Sequence, residues 1–213
     1  MEERIKIKIC GITRKEEIDM LNEAGVDYAG FVFYEKSKRC ILPEKAAELK
    51  EALAPSIKSV AVTVSPDAAL IKRAEALGFD IIQIHGRIYD DVLDRCGIPA
   101  WIAVNADSID EAEKAIKTIE SSAGYNAEKI KAFVFDAPMF GSGKTSDWSE
   151  GRRPDTKKMF VLAGGLDDTN VTEGIRIFTP DVVDVSSSVE GKDGKDRERI
   201  LSFTYMARKG DIK

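Results

Sequence analysis

The chain reads as a single (β/α)₈ TIM barrel, on three observations. Eight short apolar segments run through its 213 residues. Each is followed by a helix or by a segment able to hold one, and most end on a polar residue or glycine. The runner-up is a doubly wound open sheet. Length and a 43% hydrophobic content suffice for one large α/β core, and we assign residues 1–213 to one barrel domain.

The first strand alternates Ile5, Ile7 and Ile9 and closes at Cys10; a one-faced helix from Arg14 to Ala24 follows, ended by Gly25. The run from Asp27 to Tyr34 is nearly all apolar, as suits a parallel strand covered on both faces. Pro43 opens a helix reaching about Ala54, at the first-turn position where its missing N–H does no harm. Ile57–Val64, Phe79–Ile84, Trp101–Val104, Ala132–Phe135, Phe160–Ala163 and Val182–Val185 are the remaining strands. Between them, helices are expected over Pro66–Leu77, about Tyr89–Arg95, Ile109–Ser121 and about Thr169–Phe178, with a last one over Asp196–Ala207. The sixth unit stands apart. Ala137 to Thr156 is rich in Gly, Ser and Pro, so a long loop with a short or displaced helix is expected there.

Charge and cysteine usage exclude several function classes. The formal net charge of -5 comes from interspersed acidic and basic residues, which speaks against a nucleic-acid or anionic-membrane surface while leaving room for a small anionic ligand. Cys10, Cys40 and Cys96 form no paired or metal-ligand pattern, so neither a disulfide framework nor a structural zinc site is suggested. The amino terminus lacks the apolar stretch of a signal peptide, and no run of about eighteen apolar residues occurs. The expectation is a soluble, cytoplasmic protein.

In a barrel of this kind the reactive residues stand at the carboxyl ends of the strands, where the βα loops converge. That rule selects Cys10, Arg39, His85, Asp136, Gly164, Gly165, Asp184, Ser186 and Ser187. Gly164-Gly165 after the seventh strand and Ser186-Ser187 after the eighth occupy the place where barrels often hold a phosphate on backbone N–H groups. Asp136 is either a general acid, if desolvation keeps it protonated, or the cap of the following turn. Arg39 either grips a carboxylate bidentately or solvates the surface. His85 is the only histidine, which leaves little scope for a catalytic triad or a multi-histidine metal site; it reads as a site-wall or structural residue. Phe140-Gly141-Ser142-Gly143-Lys144-Thr145 imitates the tail of a nucleotide-binding loop, but Pro138 stands where that motif needs glycine. The segment is then a lid over the site or a plain surface loop.

Taken together, KICGITR at 8–14, GFVFYEKSKR at 30–39, QIHG at 83–86, FGSGKTSDW at 140–148, LAGGLDDTNV at 162–171 and DVSSSVE at 184–190 resemble the phosphoribosylanthranilate isomerase family. The pieces appear in the family's order over nearly the whole chain. The resemblance implies an aldose–ketose isomerase of tryptophan biosynthesis, an intramolecular oxidoreductase that performs an Amadori rearrangement of N-(5-phosphoribosyl)anthranilate. It implies Cys10 as general base, Asp136 as general acid, Arg39 near the anthranilate carboxylate, and the phosphate on loops seven and eight, at Gly164, Gly165, Ser186 and Ser187; His85 and Asp184, from their strand-end positions, are expected to bind substrate as well. It calls for no metal or redox cofactor, and for a small phosphosugar as sole partner, with no nucleic acid and no membrane; it leaves monomer and homodimer open. Glu35, Lys38 and Cys40, Ser146 and Ser188 depart from the family's usual residues, so the Arg39 loop, the lid and the phosphate cup are where differences are expected. The rivals are an aminoaldose isomerase of the histidine-pathway type and a phosphate-binding barrel without catalysis.

Overall fold

The structure, a computed structural model, describes residues 4–89, 92–122, 127–136 and 151–210. Its eight strands are β1 (Lys6–Cys10), β2 (Tyr28–Val32), β3 (Lys58–Val64), β4 (Ile81–His85), β5 (Ala100–Val104), β6 (Ile130–Asp136), β7 (Met159–Ala163) and β8 (Val182–Val185). All neighbours pair in parallel, and β1 closes the barrel against β8. Outside the strands lie α1 (Lys15–Ala24), α2 (Pro43–Lys50), α3 (Ala68–Ala76), α4 (Ile109–Ser121), α5 (Val171–Phe178) and α6 (Arg197–Gly210). A short hairpin, β9 (Glu190–Gly191) with β10 (Gly194–Lys195), is inserted before α6. The open-sheet alternative is thereby ruled out.

Side chains on each strand alternate between two cores. Ile5, Ile7 and Ile9 belong to the layer between barrel and helices, together with residues such as Ile18, Leu21 and Phe203. The other face of the strands fills the barrel itself, where Tyr28, Val60, Val62, Trp101, Val134 and Val161 form a separate cluster. Tyr28 meets Trp101 edge-to-face at 4.8 Å, closing the barrel floor. The helices stop and start on local chemistry. Gly25 takes the left-handed conformation that ends α1, and Asp67 and Ser108 cap α3 and α4 by accepting the Leu70 and Glu111 N–H groups.

At the amino-terminal end of the barrel one device recurs. The aspartate immediately before an even-numbered strand accepts the backbone N–H of its odd-numbered neighbour: Asp27 from Ile7 at 2.9 Å, Asp80 from Ser59 at 2.8 Å and Asp181 from Phe160 at 2.7 Å. Each carboxylate therefore clasps two strands where their ladder begins. Charge-assisted bonds of this kind contribute on the order of 1.5–3 kcal/mol each.

Two expectations about helices change. The segment after β4 is not an α-helix among its described residues: it turns through i→i+3 bonds, Val92 N–H to the Tyr89 carbonyl and Cys96 N–H to Leu93. The stretch is short, and Gly97 and Pro99 follow at once, so no second helical turn can propagate. α2 ends at Lys50, with turns carrying the chain on to Leu53. The Phe140–Thr145 segment read as a lid or surface loop, and most of the sixth loop, lie outside the described residues. No described helix is long and apolar enough to cross a membrane.

Candidate active site

A cavity of about 260 Å³ opens at the carboxyl ends of the strands. Its lining comprises Cys10, Val32, Arg39, Gln83, His85, Val134, Ala163, Gly164, Gly165, Leu166, Asp184, Val185, Ser186 and Ser187. Eight of the nine residues selected from the sequence thus share one hollow. The ninth, Asp136, ends the backbone of β6, two residues beyond Val134 and in register with Ala163, both of which line the cavity. Its backbone is the part the structure describes.

Cys10 faces the barrel interior because it lies one residue beyond Ile9, which faces the helices. Space for it is made by Gly30, its register partner on β2: a Cβ there would lie 2.9 Å from Cys10 Sγ and 3.1 Å from its Cα. Two residues below Cys10 on the same face is Lys8, fully buried, whose Nζ donates to Asp184 Oδ2 at 2.7 Å. The pair follows from register, since Lys8 of β1 stands opposite Asp184 of β8.

Burial pushes the Cys10 thiol up from its ordinary pKa; the charge of Lys8 pulls it back, Asp184 pushes it up again, and Lys195 pulls it down. At rest the sulfur is therefore a thiol. Burial works against the charge on Lys8, but Asp184 and Cys10 outweigh it and hold the ammonium above its ordinary range. His85 is driven down to about 4, first by burial and then by the charge of Lys8, so its ring is neutral at neutral pH. Gln83 Nε2 lies 2.8 Å from His85 Nε2; with the amide donating, the ring proton sits on Nδ1.

Arg39 is held by Glu190 through its Nε, and Glu190 also takes Lys38 Nζ at 2.9 Å and Lys195 Nζ at 3.2 Å. Burial acts to raise the Glu190 pKa, but hydrogen bonds from Arg39 and Lys38 and the charge of Lys195 win and hold it at about 2. Lys195 in turn donates to the Ser186 carbonyl at 2.9 Å. Its own backbone N–H is anchored 2.9 Å from Glu17, a buried carboxylate that also accepts from Thr13 N–H at 2.7 Å. The β9–β10 hairpin is thereby tied to the loop that follows Cys10.

Gly164 and Gly165 have φ of 84° and 65°, a region that L side chains disfavour, and this lets the backbone turn sharply across the mouth. Loops seven and eight are cross-linked by Ser188 Oγ, which donates to the Leu166 carbonyl, and loop eight is tied to the end of β1 by Ser186 Oγ, which donates to the Cys10 carbonyl at 2.9 Å. Ser188, one of the departures, therefore adds a tie between the two glycine- and serine-rich loops. Lys38, another departure, is recruited to Glu190 beside Arg39.

Reading the sequence missed Lys8, Gln83, Glu190 and Lys195. A signal for the first two existed. Lysine and glutamine inside apolar alternations, Ile7-Lys8-Ile9 and Ile82-Gln83-Ile84, mark the face that points into the barrel. Glu190 and Lys195 carry no local signal, because the hairpin that brings them to the mouth is a tertiary arrangement.

The family described as N-(5'phosphoribosyl)anthranilate (PRA) isomerase matches residues 7–205. The chain is 37% identical over 206 residues to an N-(5'-phosphoribosyl)anthranilate isomerase of Streptococcus pneumoniae, covering 96% of each chain. It resembles the crystal structure of phosphoribosyl anthranilate isomerase from Thermotoga maritima, at 33% identity and TM-score 0.81, over 96% of this chain and 99% of that one. A further solved structure, at 30% identity and TM-score 0.79 over the same shares, is a phosphoribosyl anthranilate isomerase in complex with reduced 1-(o-carboxyphenylamino)-1-deoxyribulose 5-phosphate.

Proposed function

The chain belongs to the N-(5'-phosphoribosyl)anthranilate isomerase family, and from that premise we propose how its own residues carry out the reaction. It is an aldose–ketose isomerase that rearranges N-(5-phosphoribosyl)anthranilate to the carboxyphenylamino-deoxyribulose phosphate. The observation that carries the residue assignment is the single cavity in which Cys10, Arg39, His85, Asp184 and both small-residue loops meet.

The phosphate is taken by Gly164, Gly165, Ser186 and Ser187, where a backbone freed of side chains approaches an anion closely. Arg39, with Nε committed to Glu190, offers its terminal nitrogens to the anthranilate carboxylate. Asp136 protonates the ring oxygen as the C1′–O bond breaks, and the nitrogen lone pair forms the C1′ iminium. The Cys10 thiolate, its own proton already lost to solvent, then takes the proton from C2′. The electron pair of that C–H bond becomes the C1′–C2′ double bond and neutralises the nitrogen, and the enol so formed passes to the ketone as C1′ gains a proton. Neutral His85 and the Asp184 carboxylate line the wall beside the reacting carbons, and the positive iminium acidifies the C2′ proton that the thiolate takes.

The test is turnover of the fluorescent substrate by Cys10→Ala and Asp136→Asn. Each should lose roughly 10²–10⁴-fold in kcat while keeping the wild-type circular dichroism. Full activity in Cys10→Ala would overturn the assignment of the base.

A further inference from the structure

We propose that Lys8 is a positioning residue for catalysis, holding the Cys10 thiolate from inside the barrel with Asp184 as the counter-charge behind it. The inference rests on the reading of Cys10 as the base, and it starts from a cost. A fully buried ammonium–carboxylate pair returns less in Coulomb attraction than its desolvation consumes, and an apolar pair in its place would leave a barrel at least as stable. Lys8 and Asp184 face the barrel interior, whose remaining core, Gln83 apart, is largely apolar: Tyr28, Trp101, Val134 and Val161 among others. Stability therefore does not account for them.

Position does. Lys8 and Cys10 are two residues apart on one strand and point the same way into the barrel, and the charge of Lys8 acts to lower the Cys10 pKa. The remaining charged groups acting on the sulfur are Asp184 on β8 and Lys195 on β10; His85 on β4 and Arg39, held by Glu190, line the same cavity. Asp136 ends β6 on the far side of the barrel. Lys195 is spent on Glu190 and the Ser186 carbonyl. Lys8 is the buried cation on the sulfur's own strand and face. It answers to two anions in turn: Asp184 while Cys10 is a thiol, and both when Cys10 is a thiolate ready to accept the C2′ proton.

The experiment follows alkylation of Cys10 by iodoacetamide against pH, quantified by peptide mass spectrometry, because only the thiolate reacts. Exposed Cys40 in the same molecule is the internal reference. In Lys8→Met the Cys10 profile should move up, with reactivity at neutral pH falling roughly tenfold or more, the equivalent of one pKa unit. In Asp184→Asn it should move the opposite way, since the carboxylate that competes for Lys8 is gone. The double variant Lys8→Met/Asp184→Asn strands no buried charge and guards against misfolding of either single variant; its profile should also lie above wild type. The rising limb of kcat/KM in Lys8→Met should follow the alkylation midpoint, which a merely structural lysine would not produce. Cys10 profiles that superimpose on wild type in folded Lys8→Met or in the double variant would overturn the inference. If that happens while Cys10→Ala is inactive, only the role of Lys8 fails; an active Cys10→Ala removes the underlying reading instead.

Discussion

The two ends of the barrel use the same side chain to opposite purposes. At the amino-terminal end, Asp27, Asp80 and Asp181 accept backbone N–H groups of the neighbouring strand, and two of them also meet an arginine at the surface, Arg4 and Arg153. At the carboxyl end, Asp184 is 7% exposed and meets a buried ammonium beneath the candidate base. The first group secures strand register near water. The second keeps charge in a place where burial penalises it, which is sensible only where a reaction uses the charge. A carboxylate on the floor is thus a fastening and, on the mechanism we propose, one at the mouth is part of the chemistry, although the local sequences Val-Asp-Tyr and Val-Asp-Val look alike.

Changes at the two ends should separate stability from rate, and the largest effect comes where both are at stake. Asp184→Ala leaves Lys8 buried without its counter-charge, so chemical denaturation should show a loss of about 3–5 kcal/mol together with a fall in kcat/KM. An Asp184→Ala protein as stable as wild type would erase the distinction between the ends. Next is the pH dependence of the mouth. Burial raises the Cys10 pKa above the ordinary thiol range, and a base acts deprotonated, so kcat/KM should climb by roughly tenfold per pH unit between about pH 6 and 8 without levelling there. A rate that is flat or falling over that range would contradict the thiol as base. On the floor, Asp80→Ala removes the partner of both the Ser59 N–H and its hydroxyl, at 2.8 and 2.7 Å. It should cost about 1–3 kcal/mol in denaturation and leave kcat and KM of the folded enzyme unchanged. Gly165→Ala then forces a side chain into a φ of 65°, a strain of roughly 1–2 kcal/mol. The expected result is a KM about tenfold higher with kcat nearly intact, since phosphate binding and not proton transfer is disturbed.

Much of this was legible before any coordinates, and the limits are physical. Strand ends are marked by chemistry the chain must carry there, so Cys10, His85, the Gly164-Gly165 pair and Asp184 stand out from apolar runs and do gather at one mouth. Arg39 is legible too, because a polar loop after a buried strand has to emerge at that same end. Lys8 is harder. The alternation Ile5, Ile7, Ile9 shows that one face is buried, but in a closed barrel the other face is buried as well, and closure is a property of all eight strands together. Glu190 and Lys195 become neighbours of Arg39 only through the hairpin of two-residue strands, too short for any periodicity to reveal. The turn after β4 was masked by Val92, Leu93 and Cys96, whose helix-like spacing serves only to bury one side of an irregular loop. The aspartate clasps are a repeat of single residues, visible once the partner N–H groups are known.

The clasp is missing from one strand pair, and the reason allows the finest test of the comparison. Before β6 the equivalent position holds Lys129, with Ala100 in register with Ile130. The residue facing position 129 is then Pro99, whose ring nitrogen carries no hydrogen. A carboxylate at 129 would find no donor to accept from, and it would forgo the bond that Lys129 Nζ gives to the Asp94 carbonyl at 2.9 Å. Lys129→Asp should therefore bring no stabilisation, with a change in unfolding free energy within about 0.5 kcal/mol of zero or slightly unfavourable. Were Lys129→Asp to stabilise the barrel by as much as the loss of Asp80 weakens it, the clasps would owe their strength to charge at the barrel floor rather than to the N–H each one accepts.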